Sequence, residues 1–414
     1  LFYIHHVANL KYPIIDSKKS VFWVSLKIVI FNRSYKYKSS PQTISSFYRE
    51  FLLFLKRVLK MNVFNTDQSL DALISRANKV LPAGSFGNMP GDIVLERGKA
   101  GRVWDIKGTE YVDFLLGSGP MFVGHAHPDV TKAITEQAPQ GTTFFANNQY
   151  GIKLAEEICD AMACADQLRF VSSGSEATLY AMRLARAYRK RDKILKFEGG
   201  YHGMSDYSLM SLAPTRLANY PQALPDSAGI PKQVSNEVII APFNDIETVK
   251  SLINEYQDEL GGVIVEPFQR LIPPAPGFLE MLREITLKYE IPLIFDEIVT
   301  GFRFSYGGAQ DYYGVTPDLC TLGKIIGGGF PVGAVCGNKE IMNHFDKALV
   351  GEENFLPQIG TLSGNPLASV AGLATLNILK PESSYQKVFE TGRQLMAGLE
   401  AALQDNGHTA QITG

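Results

Sequence analysis

Asp296 and Lys324 have the side chains and the separation for chemistry between an amine and a carbonyl. Asp296 closes the apolar run Ile291-Pro292-Leu293-Ile294-Phe295, so a buried strand delivers a carboxylate at its end. About one βα unit later Lys324 stands among small residues, in Thr321-Leu322-Gly323-Lys324-Ile325-Ile326-Gly327-Gly328-Gly329. A lysine amine forms a Schiff base with an aldehyde, and a carboxylate keeps a pyridine nitrogen protonated so that the ring can act as an electron sink. The pair therefore suits a pyridine-containing aldehyde cofactor. Taken singly, Asp296 is read more plainly as a helix N-cap and Lys324 as a solvated charge.

Three other stretches offer chemistry that fits the same ligand. Ser172-Ser173-Gly174-Ser175-Glu176-Ala177 leaves a strand and opens a helix. There hydroxyls, close-approaching amides and the helix N-terminus can hold a phosphate, although the same residues also make a capping box. Tyr201-His202-Gly203 follows the turn Gly199-Gly200. It offers a ring that could stack on a cofactor face or pack in a core. Gly360-Thr361-Leu362-Ser363-Gly364-Asn365-Pro366 enters a helix with a hydroxyl that could cap it or reach a phosphate. His125 and His127 lack nearby acids or thiols at ligand spacing and read as structural, so no metal site is expected.

These residues need strand ends to hold them, and the chain supplies them. Strand-like runs occur at Leu168–Val171, Lys193–Phe197, Val238–Ala241, Gly262–Glu266 and Leu293–Asp296. Helical periodicity separates them at Glu176–Arg189, Ile246–Tyr256 and Leu279–Tyr289. The alternation predicts an α/β fold with a mostly parallel central sheet covered by helices. Ligands in such sheets bind beyond the carboxyl ends of the strands, where Asp296 and Ser172-Ser173-Gly174 fall.

Of 414 residues, 45% are hydrophobic, enough for a large core, and the net charge of −2 points to neither a nucleic-acid nor a membrane partner. Cys159, Cys164, Cys320 and Cys336 form no CxxC pair and read as free thiols in a reducing, cytoplasmic compartment. Charge is uneven along the chain. Residues 1–60 contain eleven basic side chains against Asp16 and Glu50, with no Met before Met61, leaving 29 basic and 40 acidic residues beyond. This segment is expected to be a non-globular basic extension, either translated upstream sequence or an organellar targeting peptide. Val21–Phe31 is too short for a membrane span, and Lys27 interrupts it. The expected organisation continues with 61–125 as the first part of a small α+β domain and 126–363 as a large cofactor-binding domain. Residues 364–414 then begin a truncated carboxyl-terminal part of the small domain. They include an amphipathic helix at Tyr385–Gln404 and an incipient strand at Gln411–Gly414.

Phe295-Asp296-Glu297-Ile298-Val299-Thr300-Gly301-Phe302-Arg303, the Lys324 segment and Gly360–Pro366 together resemble class III aminotransferases, a fold-type I family dependent on pyridoxal 5′-phosphate. The likeness runs from about Leu81 to Leu379 and is nearest to glutamate-1-semialdehyde 2,1-aminomutase-like members. It implies that Lys324 is the Schiff-base lysine and then the proton-transfer base. By the same resemblance Asp296 pairs with the pyridinium nitrogen, and Ser173, Gly174 and Ser175 hold the phosphate. Tyr201 would stack on the ring beside His202, with Val299 on its other face. Thr361 would reach the phosphate of a neighbouring subunit, making a homodimer part of the site.

The substrate side departs from the aminomutases. Those relatives carry an arginine in the stretch corresponding to Pro82–Asn88, and a tryptophan where this chain has Ser118. Ser85, Phe86, Ser118 and Glu297 are therefore the candidate substrate-pocket residues. The reading that results is a ping-pong aminotransferase acting on small amino and oxo substrates. An aminomutase that returns the amine to the adjacent carbon is the alternative, and a catalytically silent assembly protein on the same fold is the third.

Overall fold

A computed structural model describes residues 3–15, 21–32, 69–216 and 218–413. The chain divides into two units, Leu1–Met89 and Pro90–Gly414. In the first, strands β1 (Tyr3–Ile15) and β2 (Val21–Asn32) pair antiparallel, with Ile15 opposite Val21. The helix Leu70–Val80 starts at Ser69, whose Oγ accepts the Ala72 N–H at 3.3 Å. The basic extension expected over 1–60 otherwise lies outside the described residues. The division at Met89 falls within the segment that the sequence assigned to 61–125.

The second unit opens with a three-stranded antiparallel sheet: β3 (Leu95–Lys99), β4 (Arg102–Asp105) and β5 (Glu110–Val112). Seven further strands form the main sheet. They are β6 (Gln167–Val171), β7 (Lys193–Phe197), β8 (Val238–Ala241), β9 (Leu260–Val265), β10 (Leu293–Asp296), β11 (Leu319–Leu322) and β12 (Gly333–Gly337). Their order is β6-β12-β11-β10-β9-β7-β8. β12 runs antiparallel to both neighbours, while the pairs from β11 to β8 are parallel, so six strands share one direction. The result is the mostly parallel sheet that the alternation predicts.

The sheet is apolar on both faces, as a buried parallel sheet must be. Period-two alternation sends Val263, Val265, Leu293, Phe295, Cys320, Leu322, Ala334 and Cys336 into one core. Ile264, Ile294, Leu319 and Val335 point into the other, against Ala177, Ala181 and Ala185 of the helix Gly174–Arg189. In the β10–β11 register Ile294 pairs with Leu319 and Asp296 with Thr321. Asp296 thus lies one step beyond Ile294 on the face covered by that helix.

The boundary set at 363/364 does not coincide with a break in packing. The helix Pro366–Leu379 buries Ala368, Leu376 and Leu379 in the same core as Leu154, Ile158 and Ile326. The following helix, Glu382–Asp405, is tied in through Tyr385, whose hydroxyl donates to the Phe302 carbonyl at 3.2 Å. Residues 408–413 are irregular, so the strand anticipated after the helix does not form there. Among the described residues no helix is long and apolar enough to cross a membrane.

Candidate active site

Five carboxyl strand ends converge on one basin. β6 leads into Ser172-Ser173-Gly174, β7 into Gly199–His202, β9 into Glu266, β10 ends at Asp296, and β11 runs through Gly323 into Lys324.

Asp296 is 4% exposed, and both its oxygens are engaged. Oδ2 lies 2.7 Å from His202 Nδ1; Oδ1 accepts from Thr321 Oγ1 at 3.0 Å and from the Ile298 N–H at 3.2 Å. Burial pushes the His202 imidazole down, against the pull of Asp296, so the ring is neutral. A carboxylate neighbour then requires the proton on Nδ1. Nε2 is left buried and without a partner. His202 is held in turn through its carbonyl, which accepts from Thr178 Oγ1 at 2.5 Å and Ser208 Oγ at 2.8 Å. The carboxylate is therefore held in one orientation, with lone pairs left for a further donor.

Lys324 follows β11 in a left-handed backbone conformation, φ 46°. Burial pushes its amine below the usual lysine range, partly offset by the charge of Asp296. A depressed amine is the nucleophilic, proton-accepting form. A methyl group placed on Gly119 would lie 3.3 Å from Lys324 Cδ, so the absence of a side chain there makes room for the lysine. Gly119 is fixed by Arg303, which donates from one terminal nitrogen to the Gly119 carbonyl at 2.6 Å and from Nε to the Val299 carbonyl at 2.7 Å. Burial brings the Arg303 guanidinium down to about 10.

The Ser-Gly-Ser loop is a capped helix start. Ser173 Oγ accepts the Glu176 N–H at 3.2 Å, and the Glu176 carboxylate accepts the Ser172 N–H at 2.7 Å. Both alternatives in the sequence are thus compatible, because capping leaves the first helical N–H groups free to face an anion. A Cβ on Gly203 would sit 2.6 Å from Ser175 Oγ, so Gly203 lets the Tyr201-His202 loop close onto this turn. Tyr201 is half-buried, and its N–H donates to Glu266 Oε2 at 2.9 Å.

Glu266 was not among the sequence candidates. It is 6% exposed, and burial together with the nearby Asp296 raises its carboxyl to about 7. The signal was present: Glu266 ends the run Gly262–Glu266 as Asp296 ends its own. Thr321 had no local signal, since only the β10–β11 register brings it to Asp296.

Glu297 requires a correction. It is fully buried, and its carboxylate accepts from Thr300 Oγ1 at 3.1 Å, the Ala309 N–H at 2.5 Å and Gln310 Nε2 at 2.9 Å. It anchors the helix Gly308–Tyr313 and does not line a substrate pocket. Ser118 is exposed at φ 67°, next to Gly119. Ser85 and Phe86 belong to the Leu1–Met89 unit, where Ser85 Oγ accepts the Gly87 N–H at 3.2 Å and Phe86 is exposed. Val299 is partly exposed beside Asp296 in sequence. Thr361 is exposed, and its carbonyl accepts from Thr143 Oγ1 at 3.2 Å; it makes no hydrogen bond to the residues around Lys324. His125 pairs with Asp113 at 2.7 Å, and His127 caps the helix Pro128–Gln137.

A buried carboxylate, a depressed amine and a helix N-terminus at strand ends of one sheet can hold a phosphorylated pyridine aldehyde. Residues 85–414 match the family model described as aminotransferase class-III. The chain belongs to that family, whose members depend on pyridoxal 5′-phosphate, and it is an aminotransferase. An omega-transaminase from Sphaerobacter thermophilus is 38% identical over 85% of this chain and 82% of that one, with a TM-score of 0.78. A β-phenylalanine aminotransferase from Variovorax paradoxus is 28% identical over 90% and 80%, with a TM-score of 0.73. A glutamate-1-semialdehyde-aminomutase from Pseudomonas aeruginosa PAO1, in complex with PMP, is 28% identical over 82% and 77%, with a TM-score of 0.70.

Proposed function

We propose that this enzyme moves an amino group from a donor to an oxo acceptor in two half-reactions, with Lys324 carrying the proton at the substrate carbon. The observation that carries this reading is Lys324 itself: a half-buried, depressed amine at a strand end, beside Gly119 and one strand from Asp296. Pyridoxal phosphate, when bound, supplies a ring that accepts the electron pair left as the substrate Cα–H bond breaks. Asp296 would hold the ring nitrogen's proton, its own orientation secured by His202 and Thr321. The N–H groups of Gly174 and Ser175, with the Ser173 and Ser175 hydroxyls, would bind the phosphate. Tyr201 and Val299 would flank the ring. Lys324 would take the proton from the donor carbon and return it at the carbon where the amine is carried.

Thr361 is proposed to act in the site of a second copy. Its exposure and its lack of hydrogen bonds to the Lys324 group support this, as does the 520 Å³ cavity that Gly360 and Ser363 line with Phe145 and Asn148. The four unpaired cysteines fit a reducing compartment such as the cytoplasm.

A single-turnover experiment without acceptor tests the reading. Release of one equivalent of free oxo product per subunit is expected; quantitative isomerisation of an amino-carbonyl substrate without acceptor, the diamine intermediate never leaving, would overturn it in favour of the aminomutase.

A further inference from the structure

We propose that Arg270 binds the carboxylate of the substrate and so makes this aminotransferase selective for anionic donors; the inference rests on the reading just given.

Arg270 lies in the tight turn Gln269–Ile272, closed by the Ile272 N–H on the Gln269 carbonyl at 2.9 Å. Its φ is 59°, the left-handed region that glycine occupies freely and a branched side chain does not. The turn is held by Gln269, which is 5% exposed and donates from Nε2 to the Glu198 carbonyl at 2.8 Å. An arginine therefore stands where the backbone favours glycine. Strain of this kind, held by its surroundings, marks functional positions more than structural ones.

The side chain has a definite neighbour. Its guanidinium carbon lies 5.1 Å from the centre of the Tyr201 ring, and Tyr201 is itself held by Glu266. Beyond that stacking contact the guanidinium makes no hydrogen bond or ion pair with any described residue, and the side chain is exposed. Arg303, the other arginine near Lys324, spends its donors on the Gly119 and Val299 carbonyls and is largely buried. One cation supports the frame, while the other keeps all its donors unspent.

Electrostatics agree with this location. Burial is the main cause of the depressed Lys324 amine, and the Arg270 charge adds to it in smaller part. The same charge acts on Glu266 and His202, so Arg270 shares the basin with the reacting groups. A planar guanidinium offers two parallel N–H donors to a carboxylate, and stacking on an aromatic ring pre-orients it. A substrate whose carboxylate lies over Tyr201 would satisfy the donors that the protein leaves open.

The test compares matched donors in single turnover: 3-amino-3-phenylpropanoate against 1-phenylethylamine, and alanine against ethylamine. In Arg270→Met, kcat/KM for the carboxylate member should fall roughly 10–100-fold further than for its partner. Arg270→Gly, which suits the backbone, guards against misfolding. It should keep or exceed the wild-type Tm while losing the same selectivity. Binding of 3-phenylpropanoate to the holoenzyme should weaken in parallel, a readout independent of turnover. Equal losses for both members of a pair, or unchanged ratios and unchanged 3-phenylpropanoate binding in the folded glycine variant, would overturn the proposal. A wild type that transfers from no donor, yet binds 3-phenylpropanoate through Arg270, would count against the aminotransferase reading and in favour of the anion subsite.

Discussion

The strand ends and the loops that face them are built by opposite rules. Asp296 is held on every side: both carboxylate oxygens are engaged, His202 is clamped through Nδ1 and its carbonyl, and Thr321 is fixed by register. Across the basin, Ser118 and Arg270 are exposed on left-handed backbone, and the donors of Arg270 are unspent. The buried side can hold one cofactor in one pose. The loop side leaves its groups unspent, and on the proposal above Arg270 uses them to select carboxylate-bearing donors. On the function proposed above, the first would carry the chemistry and the second the choice of substrate.

Substitutions at the strand ends should cost most. Lys324→Ala should lower kcat by on the order of 10⁴-fold by removing the proton carrier, while thermal unfolding shows no loss of Tm. A variant retaining a tenth of wild-type turnover would contradict the role given to Lys324. Asp296→Asn keeps the shape and removes the charge; kcat should drop on the order of 10³-fold, with KM for the donor changing little, in steady-state kinetics.

The next effect concerns stability. Glu266 titrates near 7 in the folded protein, against 4.5 for an unperturbed carboxyl. Between these values the unfolded chain binds fewer protons than the folded one, so stability falls as pH rises from about 4.5 to about 7. The loss is at most about 3 kcal/mol. Glu266→Gln should flatten that slope in denaturant unfolding across this range; an unchanged slope would remove Glu266 as its source. The smallest effect is expected at the loop side, where Ser118→Ala should alter donor preference by no more than a few-fold and leave the pH profile alone. A thousandfold loss there would erase the contrast between the two sides.

Much of the buried side was legible in the sequence. Lys193–Phe197, Val238–Ala241 and Leu293–Asp296 coincide with strands because continuous apolar runs bounded by turns are what a two-sided sheet requires. β11 and β12 were not foreseen. Leu319–Leu322 is interrupted by Thr321, and Gly333–Gly337 is mostly small residues, so neither reads as a continuous large apolar run. Glu297 was misassigned although the remedy was at hand. Successive residues leaving a strand point to opposite sides, so Glu297 faces away from the side on which Asp296 meets His202. Arg270 was unreadable for another reason: its position depends on a backbone reversal that its residue type disfavours.

The one antiparallel strand of the main sheet has a consequence for how the protein comes into being. Among the described residues β6, which leads into the Ser-Gly-Ser turn, pairs only with β12, made roughly 160 residues later during synthesis. The strands from β7 to β11 can associate on the emerging chain before that partner exists. The corner that holds the Ser-Gly-Ser turn should therefore be the last part of the sheet to assemble, and it is complete only after β12 has been made.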